Sequence, residues 1–182
     1  MSRASLGEMH FVLGTCAVFV LSAGDALMFC IPMLVLTLAD AAAALIGTPY
    51  GRHRYPAYHG QKSVEGSAAF FIVTVWCIYL PLSLFTPAQG AEHVVAVVLV
   101  AAIATALEAT AGGGLDNLLV PVGAYAALKA SSLSGTLPAA VGHEPAASIA
   151  FLSAATLIAL LGILLVCWRR IPSARGNAEH AK

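Results

Sequence analysis

Two neighbouring stretches decide how this chain is read: Asp40-Ala41-Ala42-Ala43-Ala44-Leu45-Ile46-Gly47-Thr48-Pro49-Tyr50-Gly51-Arg52-His53-Arg54 and Gln61-Lys62-Ser63-Val64-Glu65-Gly66-Ser67. Residues 39–67 hold three of the nine Lys/Arg and two of the nine Asp/Glu. They form the longest polar interval between two apolar runs. A second acidic cluster of similar character spans residues 108–117 and carries Glu108, Asp116 and Asn117.

The surroundings of these stretches set the solvent. Of 182 residues, 59% are hydrophobic and 10% charged, with a mean hydropathy of +0.86. Soluble domains carry about a quarter charged residues. This chain cannot cover itself with polar surface, so the expected class is an all-α integral membrane protein. A formal net charge of zero argues against nucleic acid as a partner. Cys16, Cys30, Cys77 and Cys167 sit in apolar runs without a CxxC pair or a Cys/His cluster. They are expected to be buried small hydrophobes rather than disulfides or ligands.

Six apolar runs are expected as transmembrane helices in one bundle: residues 6–23, 26–47, 64–85, 92–111, 118–133 and 147–168. Most approach the roughly 20 residues that cross a hydrocarbon core. Residues 1–168 then form a single transmembrane domain with a cytoplasmic loop at 48–63, and residues 169–182 a short polar tail. A signal peptide at the start is the weaker reading, because its basic region is Arg3 alone and Glu8 precedes the apolar stretch. Arg3, the group Arg52, Arg54 and Lys62, and the group Arg169, Arg170, Arg175 and Lys182 are separated by even numbers of crossings. They can share the cytoplasmic side, which places both termini there in a multi-pass protein.

The same topology brings acids together. Asp40 lies near the inner end of the second run, Glu65 opens the third, Glu108 closes the fourth, and Asp116 with Asn117 opens the fifth. Acids within membrane segments are expensive and usually functional. Asp40, Glu108, Asp116 and Asn117 are hard oxygen donors suited to Mg²⁺ carrying substrate phosphates. Arg52, Arg54 and Lys62, among Gly47, Gly51 and Gly66, can approach and neutralise a polyphosphate. Lys62 and Ser63 stand before a helix start, where free backbone N–H groups favour anions. Metal, phosphate and an apolar surround point to phosphoryl transfer onto a lipid-soluble alcohol. Asp40, Lys62, Glu65 and Asp116 are the candidate catalytic residues.

Each residue also has a plainer reading. Asp40 can be an ion-pair partner of Arg52 or Lys62, Asp116 of Arg54, and Glu65 a helix N-terminal charge matching the macrodipole. The Gly60-Gln61-Lys62-Ser63 segment ends like a P-loop, but Gln61 replaces the required glycine and no strand is expected before it.

At these residues the chain resembles the polyprenol kinase family, which includes phytol kinase, dolichol kinase and CTP-dependent diacylglycerol kinase. The family pattern of an Asp, an Ala and two spaced glycines is matched by Asp40, Ala43, Gly47 and Gly51. A Lys-Ser-x-Glu-Gly-Ser signature stands as Lys62-Ser63-Val64-Glu65-Gly66-Ser67. The later signature stands as Glu108 and Gly114-Leu115-Asp116-Asn117-Leu118-Leu119-Val120-Pro121. Ala39 and Ala44 depart from the family's Gly and second acid. The resemblance implies a membrane kinase using a nucleoside triphosphate, often CTP, or else ATP, with Mg²⁺, to phosphorylate an isoprenoid alcohol; phytol kinase is the nearest form. Two other readings stand beside it. One is a cytidylyltransferase moving CMP onto a lipid phosphate, as in phosphatidate cytidylyltransferase. The other is a non-enzymatic membrane subunit or transporter.

Overall fold

A computed structural model of the chain describes residues 6–58, 60–86 and 90–133. Five helices and a two-stranded hairpin follow in order: α1 Leu6–Ser22, α2 Ala26–Tyr50, β1 Arg54–Ala57, β2 Gly60–Ser63, α3 Val64–Phe85, α4 Ala91–Thr110 and α5 Asp116–Leu133. The helices run alternately away from and back to one end. The C-terminal ends of α2 and α4 therefore meet the N-terminal ends of α3 and α5.

Most side chains that face inward are apolar, among them Val18, Ile31, Val35, Phe70, Ile78, Val97, Val100 and Leu128. The outward faces are apolar too: Phe19, Val20, Leu45, Leu84, Phe85 and Leu99 are exposed. A surface of this kind marks a lipid-facing protein rather than one that meets water. Three helices, α2, α3 and α4, are long and apolar enough to cross a membrane. Of the five expected spans that fall within the described residues, these three meet that length and composition. Helix α1 has 17 residues and is shorter than a membrane-length helix. Helix α5 carries Asp116, Pro121 and Lys129, which dilute its apolar character. The sixth run, residues 147–168, and the tail, residues 169–182, lie outside the described residues.

Two expectations are corrected. Cys16 and Cys30 are exposed on the apolar exterior, while Cys77 is buried, and all three are free thiols. Residues 48–63, expected as a loop, are ordered otherwise. Helix α2 runs on to Tyr50, and β1 pairs antiparallel with β2 in the register Arg54↔Ser63, Tyr55↔Lys62, Pro56↔Gln61 and Ala57↔Gly60. Pro56 lacks an N–H, but a two-stranded ribbon has only edge strands, where this is tolerated. The bond from Val64 N–H to His53 O, 2.9 Å, closes the base of the ribbon.

Helix α2 is not uniform. Pro32 removes one backbone donor, and residues Val35–Ala39 form a wider π-helical turn. Thr37 Oγ1 bonds the Met33 carbonyl at 2.8 Å in this turn. Such turns interrupt the i to i−4 ladder and often sit beside functional residues. Here Asp40 follows at once.

The crossing of α2 and α3 depends on two glycines. A Cβ on Gly47 would stand 3.2 Å from the Gly66 Cα and 2.9 Å from Ser63 Oγ. A Cβ on Gly66 would meet the Ala43 carbonyl oxygen at 3.1 Å and the Gly47 Cα at 3.1 Å. Close approach at this point sets the width of the site beside it.

Candidate functional site

The end where α2, α3, α4, α5 and the hairpin meet holds a cleft of about 220 Å³. One wall is the small-residue face of α2, with Ala43, Ala44 and Gly47, and Asp40 at its deep end. The facing wall is polar, with Arg54, Gln61, Lys62, Ser67, Glu108 and Asp116. Asp40 lies ten residues before the end of α2 at Tyr50, about 15 Å along the axis at 1.5 Å per residue.

Lys62 organises the polar wall. Its ammonium donates to Glu108 Oε1 at 2.7 Å, to the Glu108 backbone carbonyl at 2.5 Å and to Asp116 Oδ2 at 3.2 Å. An ammonium has three donors and no acceptor, so all are occupied. The Glu108 carbonyl is among the last carbonyls of α4, which lack partners within the helix. Lys62 therefore caps that helix with a positive charge, where the helix dipole favours one. Tyr58 N–H adds a second cap on the Thr110 carbonyl at 3.2 Å. The hairpin thus lies across the end of α4 and carries Lys62 to the centre of the cleft.

Glu108 is buried, with both carboxylate oxygens engaged: Oε1 by Lys62 and Oε2 by the Ser67 hydroxyl at 3.3 Å. A buried carboxylate without such partners is strongly unfavourable. Ser63 is the N-cap of α3. Its Oγ accepts Gly66 N–H at 3.1 Å and donates to the Gly47 carbonyl at 3.4 Å. Its hydroxyl is therefore engaged by the fold itself.

Asp40 and Arg54 differ from these. Both line the cleft, and among the described residues neither forms an ion pair. The plainer pairings of Asp40 with Arg52 or Lys62 and of Asp116 with Arg54 do not form. Three carboxylates and two cations line the cleft, Asp40, Glu108 and Asp116 against Arg54 and Lys62.

Of the candidates from the sequence, the fold brings Asp40, Gly47, Arg54, Lys62, Ser63, Gly66, Glu108 and Asp116 around one cleft. Gly51, Arg52, Glu65 and Asn117 lie outside its lining. Glu65 turns to the hairpin base, where its carboxylate accepts the His53 backbone N–H at 3.3 Å and contacts His53 Nδ1 at 2.9 Å. Asn117 donates its amide N–H to the Gly7 carbonyl of α1 at 3.1 Å. Among the described residues no three His, Cys, Asp or Glu side chains are grouped closely enough to hold a bare metal ion. Lys62 stands between Glu108 and Asp116 instead. The unpaired Asp40 and the Asp116 carboxylate remain hard oxygen donors facing the cleft, a set that fits a divalent cation arriving with further oxygens of its own.

Sequence reasoning missed Tyr55, and it gave Ser67 no role although Ser67 closes the Lys62–Ser67 signature. Tyr55 OH lies 2.5 Å from Ser67 Oγ. For Ser67 a signal existed, since it stands one helical turn from Ser63 on the same face. Tyr55 gave none, because its reach depends on the hairpin register.

The chain is similar to a phytol kinase. It is 34% identical to the phytol kinase of Synechocystis sp. over 131 residues, which are 68% of this chain and 53% of that protein. The chain thus spans about half the length of the curated relative it matches. The likeness supports a kinship with phytol-kinase-like proteins. No family profile matches the chain. No solved structure matches it.

Proposed function

We propose that this chain is a multi-pass membrane kinase that transfers the γ-phosphoryl group of a nucleoside triphosphate, CTP or ATP, to an isoprenoid alcohol such as phytol. The observation that carries the reading is the two-sided cleft. Its α2 wall carries the small residues Ala43, Ala44 and Gly47 beside Asp40, and the rest of its lining carries Arg54, Lys62, Glu108 and Asp116, within a helix bundle whose exterior is apolar. A lipid alcohol has that same division between chain and head. The likeness to a phytol kinase supports the same chemistry.

The residues divide the work as follows. Arg54 and Lys62 face the phosphates and neutralise charge in the transition state. Lys62 has no free donor, so a phosphate oxygen must replace one partner. Asp116, at 3.2 Å, is the longest of the three contacts and is the one exchanged. Asp40 accepts the proton of the alcohol hydroxyl as its oxygen bonds to the γ-phosphorus and the bond to the β-phosphate oxygen breaks, releasing the nucleoside diphosphate. Three carboxylates against two cations leave the cleft net negative, which opposes a bare triphosphate. A nucleotide-borne Mg²⁺ would supply the missing positive charge; Asp116, released from Lys62, would hold it and leave Asp40 free as the base. Glu108 acts through Lys62.

The test is a transfer assay in detergent with Mg²⁺, CTP or ATP labelled in turn at the γ-phosphate and the base, and phytol, geranylgeraniol, farnesol, dolichol and diacylglycerol. Label from the γ-phosphate in an isoprenoid phosphate is the expected result. Cytidine label in a lipid product would assign CMP transfer instead, and no transfer to any alcohol would overturn the reading.

A further inference from the structure

We infer that Ser67, backed by Tyr55, is a positioning residue that fixes the Glu108 carboxylate and through it the Lys62 ammonium. The inference deepens the phosphotransfer reading and rests on it for its kinetic consequence. Three observations carry it.

The first is the direction of the hydrogen bonds. Ser67 Oγ lies 3.3 Å from Glu108 Oε2 and 2.5 Å from Tyr55 OH. The carboxylate, paired with Lys62, is an acceptor only, so Ser67 must donate its single proton to it. Tyr55 must then donate to Ser67. The result is a one-way chain, Tyr55 to Ser67 to Glu108, ending on the carboxylate that holds Lys62 at 2.7 Å.

The second is what Ser67 does not do. A serine within a helix can bond the carbonyl three or four residues back or turn to solvent. Ser67 instead reaches across to α4 and to the hairpin.

The third is register. Tyr55 and Lys62 are directly opposite each other in the ribbon, so their side chains leave the same face. One grips Ser67 and the other Glu108. A carboxylate held by Lys62 alone could turn about its own axis. With Oε2 tied to Ser67, Oε1 is fixed towards the ammonium.

The experiment follows Lys62 directly, independent of activity. The full chain in detergent is treated with a limiting amine-reactive succinimidyl ester, and the labelling rate of Lys62 is read by mass spectrometry against exposed Lys129. Ser67→Ala should raise Lys62 labelling about ten-fold, from loss of a bond to a charged group, with Lys129 unchanged. Tyr55→Phe should raise it less, and Ser67→Thr should restore the wild-type rate. On a Glu108→Gln background, Ser67→Ala should add nothing. In the transfer assay, Ser67→Ala should lower kcat and leave the alcohol KM unchanged. Unchanged Lys62 labelling in Ser67→Ala, or an equal increment on the Glu108→Gln background, overturns the inference. If the labelling pattern appears but no alcohol is phosphorylated, the phosphotransfer reading fails and the positioning role stands.

Discussion

Lys62 contacts Glu108 twice, through the carboxylate at 2.7 Å and through the backbone carbonyl at 2.5 Å. One side chain thus neutralises a buried acid and caps the helix that carries it. The pairing joins a hairpin to a helix 46 residues further along the chain. It also gives Lys62 a structural role beside its proposed contact with phosphate, and the two can be separated by mutation.

Lys62→Met should leave Glu108 buried without a counter-charge and cost about 3–5 kcal/mol of stability. Adding Glu108→Gln should recover most of that loss, because the uncompensated charge is gone. Thermal denaturation in detergent reads both variants. Additive losses in the double variant would show that the two side chains stabilise the fold independently. Transfer activity should stay absent in both, since neither restores the Lys62 ammonium beside Arg54 in the cleft.

Asp40→Asn should separate stability from turnover in the opposite sense. Asp40 is half-buried in α2 and has no ion-pair partner among the described residues. An unpaired carboxylate at this depth is unfavourable, so the amide should melt at the same temperature or higher. Turnover should fall about 100-fold or more, the usual scale for loss of a general base. A destabilised variant with residual activity would assign Asp40 to packing.

Gly112→Ala should lift the hairpin from the end of α4. A Cβ at Gly112 would overlap the Tyr58 carbonyl oxygen. Displacing Tyr58 breaks its 3.2 Å bond to Thr110 and moves Lys62 with the ribbon. Hydrogen exchange at the Tyr58 amide should quicken, and transfer should drop at least about ten-fold, the scale of one lost charge-assisted contact. Gly60→Ala is the matched control, since nothing lies within 4 Å of a Cβ there. Equal behaviour of the two variants would show that docking of the hairpin is not required.

Ser63→Ala should act on stability rather than on nucleotide binding. Its hydroxyl caps α3 through Gly66 N–H at 3.1 Å. Loss of such a cap costs about 1 kcal/mol, while Ser63→Gly should cost only a few tenths. A lowered melting temperature with an unchanged nucleotide KM is expected. A raised KM at full stability would return Ser63 to the phosphate-binding set.

The sequence alone determined the helices and the end of the bundle where the acids gather. Apolar runs must form helices in a membrane because backbone groups have no water to bond. The expected residues 64–85 coincide with α3, and the other four described helices differ from expectation by three residues or fewer at either end. Alternating helix directions then force Asp40, Glu108 and Asp116 to one end, whatever the packing. Tertiary structure alone decided the partners. The stretch from Arg54 to Ser63 is short, polar and interrupted by Pro56, with no apolar alternation to announce a ribbon. Its pairing register places Lys62 on Glu108 and Tyr55 on Ser67, and its closed base sets His53 beside Glu65. Asn117 bonds Gly7, 110 residues away, because α1 packs along α5. Spacing in a sequence limits which helix end a side chain occupies. Which oxygen it bonds there depends on rotamers and crossings at ångström scale, and those are set only when the helices close on one another.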